Sequence, residues 1–224
     1  MLVIEKSKEL AIRKLIFSFT LHLLFNLKFF KLEKERWENI KDGSKEDYSG
    51  AYVFYYKKLY NYGRKFTDDI AMIEDSINEI FITIWSNRQN LHTIHSPQSY
   101  IFTSFRNNIF QKIKSLRLTR SRETEHETEI QFSIDSIIIQ KETDQELKRQ
   151  LERALQQLTS RQREAIFLRF YEGLSYAEIA GIMNVSIKAT YKLMARALSE
   201  LKDIISIPMA LLMAMLKEFY SISI

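Results

Sequence analysis

The stretch Leu158 to Leu201, LTSRQREAIFLRFYEGLSYAEIAGIMNVSIKATYKLMARALSEL, alternates helix starts and stops at the spacing of a helix-turn-helix preceded by a supporting helix. Thr159 with Gln162 predicts a capping box: the hydroxyl accepts from the amide three residues on, and the Gln side chain reaches back to the cap. That helix ends near Glu172, where Gly173 takes the left-handed cap. Ser175 and Glu178 repeat the box and open a short helix with Ala177, Ile179, Ala180 and Met183 on its buried side. Asn184 sits where the tight turn needs positive φ, which Asn tolerates better than most residues. Ser186 caps the next helix, which runs to about Lys202. Its period places Val185, Ile187, Thr190, Leu193 and Ala197 inward, and Lys188, Ala189, Tyr191, Lys192, Ala195 and Arg196 outward.

A helix in this position lies in the major groove of DNA with its first turns against base edges. Ser186, Lys188, Ala189, Tyr191, Lys192 and Arg196 are the candidate DNA contacts on it. Lys188 and Lys192 reach bases or phosphates, and Arg196 a phosphate.

These residues carry a resemblance. Leu158, Arg161, Glu164, Phe167, Leu168, Arg169, Gly173, Ser175, Glu178, Ile179, Ala180, Ser186, Arg196 and Ala197 form a pattern similar to the C-terminal, promoter-reading domain of sigma-70 family RNA polymerase sigma factors, especially the extracytoplasmic-function (ECF) group. Response-regulator output domains share such a helix-turn-helix, so the other half of the chain is needed to decide. From Trp37 to about Arg117 it resembles the second domain of those sigma factors. Tyr55 to Arg88, YYKKLYNYGRKFTDDIAMIEDSINEIFITIWSNR, looks like the helix pair that binds the polymerase clamp, with Asp75, Glu79, Phe81 and Trp85 at the family spacing. Asn78 stands where Gln is usual. The resemblance implies polymerase contacts at Asp75, Asn78 and Glu79.

Periodicity supports that helix independently: Ile70, Ile73, Ile77, Ile80, Phe81, Ile84 and Trp85 form one apolar stripe, with Asp75, Asn78 and Glu79 mainly off it. Next, Ser96 followed by Pro97 is a helix start, hydroxyl cap before a proline whose missing N–H costs nothing at the first position. Arg106, Lys112, Lys114, Arg117, Arg120 and Arg122 then follow with no acid among them, the footprint of a phosphate-binding surface. In the resembling family this helix and the loop before it open the minus-ten promoter element and hold the unpaired strand, a task for stacking and hydrogen-bonding side chains. The resemblance assigns it here to Tyr100, Arg106, Asn107, Asn108, Lys112 and Lys114, with Phe102 and Phe105 in the core.

Composition agrees. A net charge of +5 and a pI near 9.2 fit a nucleic-acid partner. Five Gly and two Pro in 224 residues fit an all-α protein with no sheet. The absence of cysteine excludes disulfides, thiolate nucleophiles and Cys-based zinc sites. No Gly-rich phosphate loop or nucleophile elbow is present, and the His92/His95 pair has neither Cys nor a neighbouring carboxylate to complete a metal site. An enzyme is not expected, nor a cofactor, a metal or a small-molecule substrate.

The expected architecture is two small helical domains joined by a flexible linker, the second a helix-turn-helix. Its divisions are an apolar extension at 1–31, a region 2-like domain at 32–120, the linker at 121–142, a region 4-like domain at 143–206 and an apolar tail at 207–224. The linker begins polar and acidic and turns apolar at Ile137, Ile138 and Ile139, where it is expected to dock. From Thr143, Leu147, Leu151, Ala154, Leu155 and Leu158 resume a helical stripe. Neither Leu15 to Phe30, which contains His22, Asn26 and Lys28, nor Ile207 to Ile224, with Lys217 and Glu218, reads as a membrane span. The first is open between a packing helix, a regulator-binding surface and residues added by an upstream start. The resemblance implies an ECF-type sigma factor acting in the cytoplasm, with core RNA polymerase, promoter DNA and an anti-sigma factor as partners. The alternative is a helix-turn-helix regulator that does not act as a sigma subunit.

Overall fold

A computed structural model describes residues 35–94, 96–120, 130–133, 145–205 and 216, which are helical with connecting turns and contain no strand. Residues 35–41 form α1, followed by α2 (Lys45–Gly63), α3 (Ile70–Ser86), a 3-10 turn (Arg88–Thr93) and α4 (Pro97–Arg120). The second half holds α5 (Gln145–Gln157), α6 (Ser160–Ile166), α7 (Tyr176–Ile182) and α8 (Ile187–Ile205). Both terminal extensions lie outside the described residues apart from Leu216, as does the Ile137–Ile139 docking expectation.

Local chemistry starts α2, α3 and α4. Ser44 Oγ accepts from Asp47 N at 3.2 Å, Asp69 Oδ1 from Met72 N at 3.0 Å, and Ser96 Oγ from Ser99 N at 3.2 Å just before Pro97. Each such cap is worth about 1 kcal/mol. Packing supplies the rest: Tyr55, Leu59 and Tyr62 of α2, Ile73, Ile77 and Phe81 of α3, and Phe102, Phe105 and Ile109 of α4 are all buried. Burying a large apolar side chain contributes about 1.5–3 kcal/mol, so this three-helix core outweighs the caps. The α3 stripe is buried from Ile73 to Ile84, while Ile70 in the first turn is exposed and Trp85 is half-buried against Tyr48 of α2 at 4.9 Å.

Both predicted capping boxes close. Gln162 N donates to Thr159 Oγ1 at 3.3 Å while Thr159 N donates to Gln162 Oε1 at 2.7 Å, and Ser175 and Glu178 repeat the exchange at 3.3 and 2.8 Å. After Ile166 the backbone widens into a π turn over Phe167–Tyr171, ending as Glu172 N donates to Phe167 O at 3.3 Å. Gly173 takes φ +73° and Asn184 φ +52°, as their places in the two turns require. Two side chains depart from the expected faces. Ala177 is exposed while Ile182 is buried, and Ile187 is about half exposed while Met194 is buried, because the neighbouring helices meet α7 on the face of Ile179, Ala180 and Ile182 and α8 on the face of Thr190, Met194 and Ala197.

Candidate nucleic-acid and polymerase interface

On α8, Ser186 Oγ accepts from Ala189 N at 3.1 Å and so caps the helix, committing this hydroxyl to the backbone. Lys188, Ala189, Tyr191, Lys192 and Arg196 all lie exposed on one side, with Thr190, Met194 and Ala197 buried on the other. Lys188 and Lys192 are four residues apart and therefore about 6 Å along the axis, on one face. Tyr191 packs on Tyr176 of α7 at 4.3 Å between ring centroids, and the Arg169 guanidinium sits 5.2 Å over Tyr176. That stack braces the two helices of the motif against each other beside the outward face.

The first-half candidates converge more than their sequence positions suggest. Asp75 is exposed on α3, and Tyr52 O–H donates to Asn78 Oδ1 at 2.9 Å. Glu79 accepts from Asn108 Nδ2 at 2.8 Å and pairs with Lys112 Nζ at 3.0 Å, so one polymerase candidate is bonded to two promoter candidates. The Asn108 amide, then the Lys112 ammonium, holds the Glu79 carboxyl below its ordinary pKa. An open groove of 390 Å³ runs between α3 and α4, lined by Glu79, Ile82, Thr83, Tyr100, Ser104 and Asn108. Tyr100 is half-buried edge-on to Trp37 at 6.4 Å, and Asn107 and Lys114 are exposed.

Arg106 stands apart from this group. Its Nε donates to Glu164 Oε1 at 2.6 Å and its Nη2 to Glu164 Oε2 at 3.2 Å, joining α4 to α6. Tyr62 O–H donates to the same Oε1 at 2.5 Å, and burial, then the Glu164 charge, pushes this phenol well above its ordinary pKa. Lys58 pairs with Glu172 at 2.7 Å, and Ser96 O–H donates to Glu178 Oε1 at 2.6 Å. The two halves thus meet along a polar seam. Glu164 belongs to the family pattern, but nothing in its spacing announces a partner in the other half. The one local signal is a carboxylate at the head of the apolar run Ala165 to Leu168.

The sigma-70 region 2 family model matches residues 52–119 and the sigma-70 region 4 family model matches residues 148–201, in that order and together over more than half of the chain. This chain belongs to the sigma-70 family. It has the two-domain build of the ECF group, and the sigma factor's activity is that of the family, binding core RNA polymerase and directing initiation at promoters. Such proteins are initiation factors, and the catalysis belongs to the polymerase. No curated protein sequence matches the sigma factor. Among solved structures it is similar to CnrH in complex with the cytosolic domain of CnrY, at 16% identity and a TM-score of 0.50, covering 78% of this chain and 97% of that one. It is also similar to the sigma factor RpoE in complex with the anti-sigma factor NepR from Bartonella quintana, at 19% identity and a TM-score of 0.52, covering 72% and 98%. At these identities the likeness speaks to the fold. Among the described residues no helix is long and apolar enough to cross a membrane.

Proposed function

We propose that the sigma factor divides its work among three surfaces. The α3 edge of Asp75, Asn78 and Glu79 grips the polymerase clamp. The face of α4 with Tyr100, Asn107, Asn108, Lys112 and Lys114, joined by Arg106, holds the opened minus-ten element. The outer face of α8, with Ser186 at its cap and Lys188, Ala189, Tyr191, Lys192 and Arg196 along it, reads the minus-thirty-five element. The observation that carries this reading is the exposed, basic outer side of α8, closed behind by a fully capped helix-turn-helix. The domains that carry these surfaces are 32–120 and 143–206. An anti-sigma factor is the expected regulator, since RpoE, which shares the fold, is bound to one. The sigma factor works in the cytoplasm, where its polymerase is.

Run-off transcription with purified core polymerase, on DNA upstream of the chain's own gene, tests this. Initiation at a defined start that depends on the protein is the expected result. Duplex binding without core binding or initiation would instead favour a helix-turn-helix regulator.

A further inference from the structure

The polar seam between the two halves is closed by a piece of the linker. Residues 130–133 cross it, and Phe132 is 1% exposed, with ring centroids 5.2 Å from Phe66 and 6.2 Å from Tyr62 of region 2 and 5.6 Å from Phe167 of region 4. The backbone on either side is held from both domains. Phe132 N donates to Ser160 Oγ at 2.6 Å and Phe132 O accepts from Arg163 Nε at 2.7 Å, while Ser133 N donates to Lys65 O at 2.7 Å. One aromatic side chain and its two peptide groups therefore tie region 4 to region 2.

Beside the plug lies the Glu164 carboxylate, 3% exposed, holding the Arg106 guanidinium, itself 13% exposed and stacked 4.1 Å over Phe110. A carboxylate taken in two-point fashion uses the same donor fork that a backbone phosphate would use. In this arrangement the fork of Arg106 is already filled. Besides the aromatic plug and the direct stack of Tyr62 on Phe167 at 5.7 Å, the seam buries charged groups, Arg106, Glu164 and Glu172, and one oxygen of Glu172 has no hydrogen-bond partner. Buried ion pairs gain little over their hydrated parts, so opening returns these groups to water at small net loss.

We propose that Ile130–Ser133 is an intramolecular latch: with Phe132 seated and Glu164 standing in for a phosphate on Arg106, it holds the free sigma factor closed and withholds Arg106 from promoter DNA. This rests on the sigma reading above for what is withheld, though not for the latch itself. Polymerase and promoter binding then require an open form, and the apparent affinity falls by the fraction of chains that are open. Phosphates compete with Glu164 for one guanidinium, which couples DNA binding to release of the linker.

The absence of cysteine makes the test direct. Dyes placed on the full chain at the exposed positions of Ser86→Cys and Ser199→Cys report the separation of the two halves by energy transfer. Phe132→Ala removes the plug, and Glu164→Gln keeps the shape of the carboxylate while removing its charge. Expected for each is lower energy transfer in the free protein, unchanged helical content, and binding to core polymerase tightened by about tenfold. Energy transfer equal to the parent in both folded variants overturns the latch. Separation without any gain in core affinity overturns the inhibition. Should Phe132→Ala fail to fold, Glu164→Gln decides alone by the same readings. If the parent protein never binds core polymerase, the sigma reading fails, whereas the energy-transfer result still judges the latch.

Discussion

Substituting Gly63 by Ala places one methyl group where α2, α3 and α4 come closest. An ideal Cβ there lies 2.9 Å from Ile73 Cγ2, 2.9 Å from Phe105 Cζ and 3.1 Å from Ile73 Cγ1. Carbon atoms rest at about 3.5–4.0 Å, so the new methyl is about 0.6 Å too close to two helices at once. Ile73 and Phe105 are both 0% exposed core side chains, and one of them has to shift to admit the methyl. Overpacking of this kind costs about 1–3 kcal/mol, against which Ala gains up to about 1 kcal/mol over Gly in helix propensity. The net expectation is a loss of about 1–2 kcal/mol, lowering the melting temperature by roughly 2–8 °C for a chain of this size. Gly181→Ala in α7 provides the opposite case, since nothing lies within 4 Å of its Cβ position and only the propensity gain of about 0.5–1 kcal/mol remains. Thermal and urea unfolding followed by circular dichroism measure both. A Gly63→Ala protein as stable as its parent would refute the claim that this glycine is where the helices are allowed to touch.

Lys188→Ala and Lys192→Ala should each weaken binding to promoter DNA and flatten its salt dependence by about one ion for every phosphate no longer neutralised, read from affinities over a salt series; unchanged slopes for both would remove these lysines from the interface. Asp75→Ala combined with Glu79→Ala should weaken core polymerase binding with helical content intact, measured by competition for core enzyme; undiminished binding would move the clamp contact elsewhere. The Glu79 carboxyl, held low by Asn108 and then Lys112, contributes stability above its unfolded pKa, and this is lost as pH falls through its lower folded value. Asn108→Ala should therefore raise the Glu79 titration toward the ordinary carboxylate range in a carboxyl-resolved NMR titration, and no movement would show that the amide is not its main partner.

The helix-turn-helix could be read from Thr159, Gln162, Gly173, Ser175, Glu178, Asn184 and Ser186 because caps and positive-φ turns are decided within a few residues, by groups that reach only their own backbone. The helical stripes of α3, α5 and α8 were legible for the same reason, being a periodicity of the chain itself. Which way Ile187 and Ala177 faced was not, since that depends on where a neighbouring helix crosses. Nor could the sequence tell that Glu79 would meet Asn108 and Lys112, or that Arg106, placed among the promoter contacts by the family resemblance, would be taken by Glu164 from the other domain. Phe132 stands between Ile130 and Ile134 in the linker, an apolar alternation that says nothing of which domain it would meet. Its burial against Tyr62, Phe66 and Phe167 exists only once two separately legible domains are brought together. Local hydrogen bonding and periodicity determined the elements, and the resemblance of the two motif patterns pointed to the family; the partners of charged and aromatic groups distant in sequence were decided by tertiary packing, because a pairing energy acts only between groups the fold has already placed within reach.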